Sequence, residues 1–116
     1  MTEEPEPSEV FAILDDEYAR DILVATKTDR LSAKELSEEC DMSRPTVSRR
    51  VTRLVEQGLL EEYTHVNPGG RHYSEYEARL ERVEVLLQEH GFDINIDVRP
   101  DPADRITSIF EEMRGD

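Results

Sequence analysis

The chain has 116 residues, one cysteine and no tryptophan, with 28 acids against 14 bases and a formal net charge of -14. That length suits one domain with a modest core. The lone cysteine excludes an intrachain disulfide, and no apolar run is long enough to span a membrane. Charged and hydrophobic residues each make up 36%, so the chain is either self-repelling and disordered or folded behind a very acidic surface. Strongly periodic apolar patterns favour the fold.

Residues 1–7, "MTEEPEP", are acidic and proline-containing, unlike a signal or transit peptide. They read as a disordered acidic tail, and a cytoplasmic protein is expected. "SEVFAILDDEYARDILVATKT" then predicts a short helix and a longer one. Ser8 would cap the first, with Val10, Phe11 and Leu14 on its buried side. Asp15 or Asp16 would cap the second, whose stripe is Tyr18, Ile22 and Leu23, finished by Ala25 and Thr26.

After Leu31, Ser32 and Glu35 stand at the spacing of a capping box, in which each side chain satisfies an amide that the helix start leaves free. Leu36 and Cys40 face one side of that helix, and Asp41 sits where the chain must turn. Ser43 caps the next helix, and Pro45 lies in its first turn, where a missing N–H costs nothing. Val47, Val51 and Leu54 form its inward stripe. Gly58 ends it, as a residue able to take positive φ. "LLEEYTHV" and "RHYSEYEA" flank "NPGG", which predicts a β-hairpin with a Gly-rich tip.

Residues 80–88 fit either period: Leu80, Val83 and Leu87 suit a helix, while Val83, Val85 and Leu87 alternate as a strand does. Strand is preferred, because the following Phe92, Ile94, Ile96 and Val98 alternate cleanly and a strand needs a partner for its amides. A turn near Glu89–Gly91 would join the two. At the end of the chain, Asp101 caps and Pro102 follows. Ile106, Ile109, Phe110 and Met113 then fall at the i, i+3, i+4, i+7 spacing of an amphipathic helix.

The segment "MSRPTVSRRVTRLVEQGLL" breaks the acidic rule: it has four arginines and no acid before Glu56. With Val47, Val51 and Leu54 turned inward, Arg44, Thr46, Ser48, Arg49 and Arg53 lie on or beside the exposed side. Arginine reads guanine bidentately and holds phosphate, serine and threonine take phosphate or base edges, and a helix N-terminus attracts phosphate. Arg50 sits at the edge of the stripe, placed for the DNA backbone. Asn67 and Arg71, beside the hairpin tip, are placed for phosphate or minor groove. An acidic protein repels DNA, so a docking face must be locally basic. The bland alternative is a solvated helix with i,i+4 ion pairs, but Glu56 is the only acid in register.

Helix, short turn, helix and hairpin make a helix-turn-helix with a wing. "AKELSEECDMSRPTVSRRVTRLVEQGLLEE" resembles the DNA-binding core of winged-helix transcription regulators of the ArsR/MarR/PadR type, over roughly residues 10–77. The acidic, Lys-poor composition adds a resemblance to haloarchaeal members. The resemblance implies that residues 43–57 form the recognition helix, lying in the major groove, with Ser43, Arg44, Pro45, Thr46, Ser48, Arg49, Arg50 and Arg53 as its DNA-facing set.

The expected architecture is therefore α+β. An acidic tail (1–7) precedes a winged helix-turn-helix domain (8–77) with a three-helix core and a β-hairpin wing. An extension (78–116) adds a C-terminal β segment and an amphipathic helix, for packing or dimerisation. Related regulators dimerise through helices outside the winged core, and a two-fold protein fits palindromic half-sites. Phe11, Leu14, Ile106, Ile109, Phe110 and Met113 are the expected interface of a homodimer. The expected function is a sequence-specific regulator, a repressor, on palindromic duplex DNA. At molar salt, K+ ions bridging acidic side chains and phosphates would flatten or reverse the usual loss of affinity with salt.

Two alternatives stand beside it: a winged-helix module that binds protein in the transcription machinery, and a redox or stress regulator acting through Cys40. For Cys40 a packed thiol is the ordinary reading. Metal-sensing relatives carry a second cysteine in this helix, which "SEECDM" lacks. His65, His72 and His90 are scattered, and no phosphate loop or nucleophile motif is present. No cofactor, metal or enzymatic activity is expected.

Overall fold

A computed structural model describes residues 5–100. The expected disposition of Ile106, Ile109, Phe110 and Met113 lies outside the described residues. Four helices come in chain order before the main strands: α1 (Pro7–Asp15), α2 (Glu17–Ala25), α3 (Ala33–Glu39) and α4 (Arg44–Glu56), with a two-residue strand β1 (Leu31–Ser32) ahead of α3. Then follow β2 (Leu60–Val66), β3 (His72–Ala78), β4 (Leu80–Gln88) and β5 (Gly91–Val98). The result is α+β and winged-helix-like. Among the described residues, no helix is long and apolar enough to cross a membrane.

The core forms where helical stripes converge on the start of β2. Val10, Ile13, Ile22, Leu36, Val47, Leu54, Leu59 and Leu60 are all essentially without solvent contact. Three N-terminal expectations need correction. Glu6, not Ser8, caps α1, its carboxylate accepting from the Glu9 amide at 3.1 Å. Ile13 takes the buried place expected of Phe11, which is exposed. Tyr18 is also exposed, and Ala19 packs inward instead. Both aromatics lie at the edge of their helical stripe, and the way α1 and α2 are turned against the core puts Ile13 and Ala19 inside in their place.

Asp16 caps α2 through the Tyr18 amide at 2.9 Å, and the Ser32–Glu35 capping box of α3 is complete. The turn between α3 and α4 is held by Asp41 in the left-handed region (φ 51°) and by the Ser37 hydroxyl donating to the Met42 carbonyl at 2.6 Å. Gly58 (φ 71°) closes α4: the Gly58 amide donates to the Val55 carbonyl and the Leu59 amide to that of Leu54. That pair of bonds is a Schellman cap, which needs a residue tolerant of positive φ.

The larger sheet is antiparallel in the order β1-β3-β2. β2 and β3 pair over their full length, from Leu60↔Ala78 to Val66↔His72, and the tip closes with the Asn67 amide on the Arg71 carbonyl. β1, too short to show a periodic pattern, pairs Leu31 with Tyr76 and Ser32 with Glu75. Residues 80–88 form a strand. β4 and β5 make a separate ribbon in which Val83, Val85 and Leu87 face Ile96, Ile94 and Phe92. The apolar face of the ribbon packs on the core near Leu80, Val83, Ile96 and Val98, and at its far end Leu87 and Phe92 are exposed.

A buried arginine joins ribbon to sheet. Arg79 donates from Nε and Nη2 to the Arg99 carbonyl at 3.2 and 2.9 Å, and its Nε lies 3.5 Å from the Glu61 carboxylate. Arg99 pairs with Glu77 at 3.0 Å.

Candidate nucleic-acid interface

The exposed side of α4 follows from its periodicity. Val47, Val51 and Leu54 turn inward, which leaves Arg44, Ser48 and Arg49 exposed and Thr46, Arg50 and Arg53 half-buried. Ser43 caps the helix, accepting from the Thr46 amide at 3.2 Å and donating to the Thr46 hydroxyl at 2.8 Å. Those two hydroxyls are therefore already engaged with each other. Pro45 occupies the first turn, which holds no acid.

The four arginines do not have equal freedom. Arg50 pairs through Nε with Asp16 and lies over the Tyr18 ring, 5.5 Å from its centroid. Arg53 reaches Glu9 of α1 at 3.3 Å. Arg44 and Arg49 have no acid within 4 Å among the described residues. The acids that compete for the α4 arginines are not intrahelical but come from α1 and the α1–α2 junction. Spacing places Arg50 for the DNA backbone, but its guanidinium is turned to the cap of α2.

On the hairpin, Asn67 and Arg71 are exposed beside the tip. His65 pairs with Glu75 at 2.6 Å and stacks on Tyr73 at 4.8 Å between centroids. His90 meets Asp93 at the end of the ribbon. Among the described residues, no group of three or more His, Cys, Asp or Glu side chains could hold a metal ion. Cys40 packs partly against the core, and its thiol donates to the Asp21 carbonyl at 3.8 Å. Burial, then the neighbouring Asp21 and Glu39 carboxylates, push that thiol above its ordinary range.

Residues 14–63 match the family model of a helix-turn-helix domain. The match runs from the end of α1 through α2, α3 and α4 into β2, so it takes in the arginine-bearing helix and the turn before it. It supports a helix-turn-helix transcription-regulator family and DNA binding. No curated protein matches the chain significantly.

Proposed function

We propose that this protein is a sequence-specific regulator of transcription of the ArsR/MarR/PadR type, which represses by binding palindromic duplex DNA as a homodimer. In this reading α4 enters the major groove, Arg44, Ser48 and Arg49 reach base edges or phosphate, and Arg53 holds backbone once released from Glu9. Asn67 and Arg71 use the β2–β3 hairpin as a wing, and Arg50 anchors α4 to the cap of α2. The observation that carries the reading is the acid-free N-terminal half of α4, exposed in a chain of net charge -14. Charge of that sign in that place suits a polyanion.

Dimerisation is supported by the apolar end of the ribbon, where exposed Leu87 and Phe92 face each other, because an apolar patch on a monomer calls for a cover; Phe11 is a separate exposed aromatic on α1. The very acidic surface supports operation at high salt, with K+ bridging carboxylates and phosphates, and the protein acts without enzymatic chemistry in the cytoplasm. A protein-binding winged helix is the second reading. The pairing of Arg53 with Glu9 favours it, since a guanidinium beside the exposed side of α4 there meets a carboxylate.

Binding of the full chain to fragmented genomic DNA in molar KCl, with sequencing of the retained fragments, decides between them. Recovery of a few sites with paired half-sites is expected. Retention of nothing would move the reading to a protein partner, and indiscriminate retention to an architectural role. Sedimentation of the protein alone reads the oligomeric state.

A further inference from the structure

Between α3, the start of α4 and strands β2 and β3 lies an open cleft of about 460 Å³, lined among others by Ser32, Lys34, Arg44, Thr64, His72 and Ser74. Among the described residues no carboxylate lines it, although the chain has twice as many acids as bases. Two other clefts of the fold do carry carboxylates: one has Glu77 and Glu81 beside Lys27 and Arg99, the other Glu56 and Glu62. Glu35 is close in sequence, but its carboxylate turns back onto the Ser32 amide at 2.9 Å.

The donors here are available. Lys34, one of only two lysines in the chain, and Arg44 have no acid within 4 Å among the described residues. Ser32 is engaged in the capping box with Glu35, so the cleft's free hydroxyl donors come from the strands. Thr64 and Ser74 face each other at 3.5 Å, so at most one of their two protons is used between them. A ligand that only accepts hydrogen bonds and carries negative charge fits such a lining.

We infer that this cleft is an oxyanion site that seats one phosphodiester of the DNA backbone, with Lys34 and Arg44 supplying charge and the Ser74 and Thr64 hydroxyls supplying direction. This rests on the DNA-binding reading above. The source of the phosphate is duplex DNA rather than free phosphate, because Arg44 is the first residue of α4. The cleft is thus continuous with the exposed face of that helix, where the strand bordering an occupied major groove must pass.

The test uses the full chain with Lys34→Gln and Ser74→Ala. Lys27→Gln removes the same charge outside the cleft and serves as control. Binding to duplex is measured across a KCl series on several sequences. Lys34→Gln is expected to weaken binding roughly five- to tenfold on every sequence and to shift the slope of log K against log salt by about one toward positive values. Lys27→Gln should do neither, and Ser74→Ala should weaken binding by less, with no change of slope. Thermal midpoints should stay level, since Lys34 is exposed. If Lys34→Gln matches the parent while Arg49→Ala loses binding, the cleft assignment falls and the DNA-binding reading stands. If the parent binds no duplex, both fall. If inorganic phosphate at constant ionic strength saturates the cleft in an NMR titration while DNA affinity ignores Lys34, the site belongs to a free anion and the assignment is overturned.

Discussion

Arg50 on α4 is ion-paired with Asp16, the residue whose other carboxylate oxygen caps α2. One carboxylate therefore ties together the start of one helix and the middle of another, with both side chains largely shielded from solvent.

That double duty separates the roles of charge and cap. Asp16→Ala removes both and should cost about 1–3 kcal/mol of stability. Asp16→Asn keeps a good capping oxygen and should cost clearly less. Arg50→Gln should lower the urea midpoint while leaving the order of preference among DNA sequences intact. A change in sequence preference with unchanged stability would place Arg50 at the DNA instead.

Arg49 and Arg53 should part company in binding assays. Arg49 has no acidic partner among the described residues, so Arg49→Ala should cost about 1–3 kcal/mol and relax preference at one base position. Arg53 must first leave Glu9, so Arg53→Ala should cost less and weaken all sequences alike. Competition titrations with single-base operator variants read the difference.

Arg79 should be among the costliest single arginines in this chain. It is buried, and it holds the base of the ribbon through the Arg99 carbonyl and Glu61. Arg79→Ala leaves a carboxylate and a carbonyl without their donor, and should destabilise by about 3 kcal/mol. Equilibrium unfolding in urea measures it; a loss near that of an ordinary surface substitution would contradict the joint.

Cys40 should react sluggishly. Burial and the nearby carboxylates raise its pKa, so less thiolate is present at any given pH than on an unperturbed cysteine. Alkylation by iodoacetamide near pH 8 should run slower than for a free thiol and climb as pH rises. Fast modification near pH 7 would revive the redox alternative.

The capping box carries a pH signature. Hydrogen bonds from the backbone and side chain of Ser32 hold the Glu35 carboxyl below its ordinary range. A carboxyl whose pKa is lowered by folding adds stability that is complete above its unfolded value. That stability is lost as pH falls through the lowered, folded value. The thermal midpoint of the parent should therefore exceed that of Glu35→Gln at neutral pH, and the gap should close in acid.

Much of this arrangement is local and can be read in the chain. Ser32 with Glu35, Ser43 with Pro45, and Gly58 state where α3 and α4 begin and end, because caps are chemistry between residues three or four apart. The alternation of Phe92, Ile94, Ile96 and Val98 marks a strand, and the need for an edge partner makes residues 80–88 its mate. The basic stretch on α4 stands out because everything around it is acidic.

What the chain alone could not decide is which of those arginines is free. Asp16 precedes Arg50 by 34 residues and Glu9 precedes Arg53 by 44, and no periodicity relates them. Packing of α1 and α2 against α4 brings their acids to two guanidinium groups and, among the described residues, leaves Arg44 and Arg49 without an acid. The exchange of Phe11 for Ile13 and of Tyr18 for Ala19 in the core has the same origin. Helical period tells which residues share a stripe, but the way a helix is turned against its neighbours decides which edge of the stripe lies inside. Likewise Lys34, Arg44 and Ser74 meet around one cleft only after β3 has paired with β1 and β2. Short-range chemistry sets the elements, and long-range packing sets which charges remain for a partner.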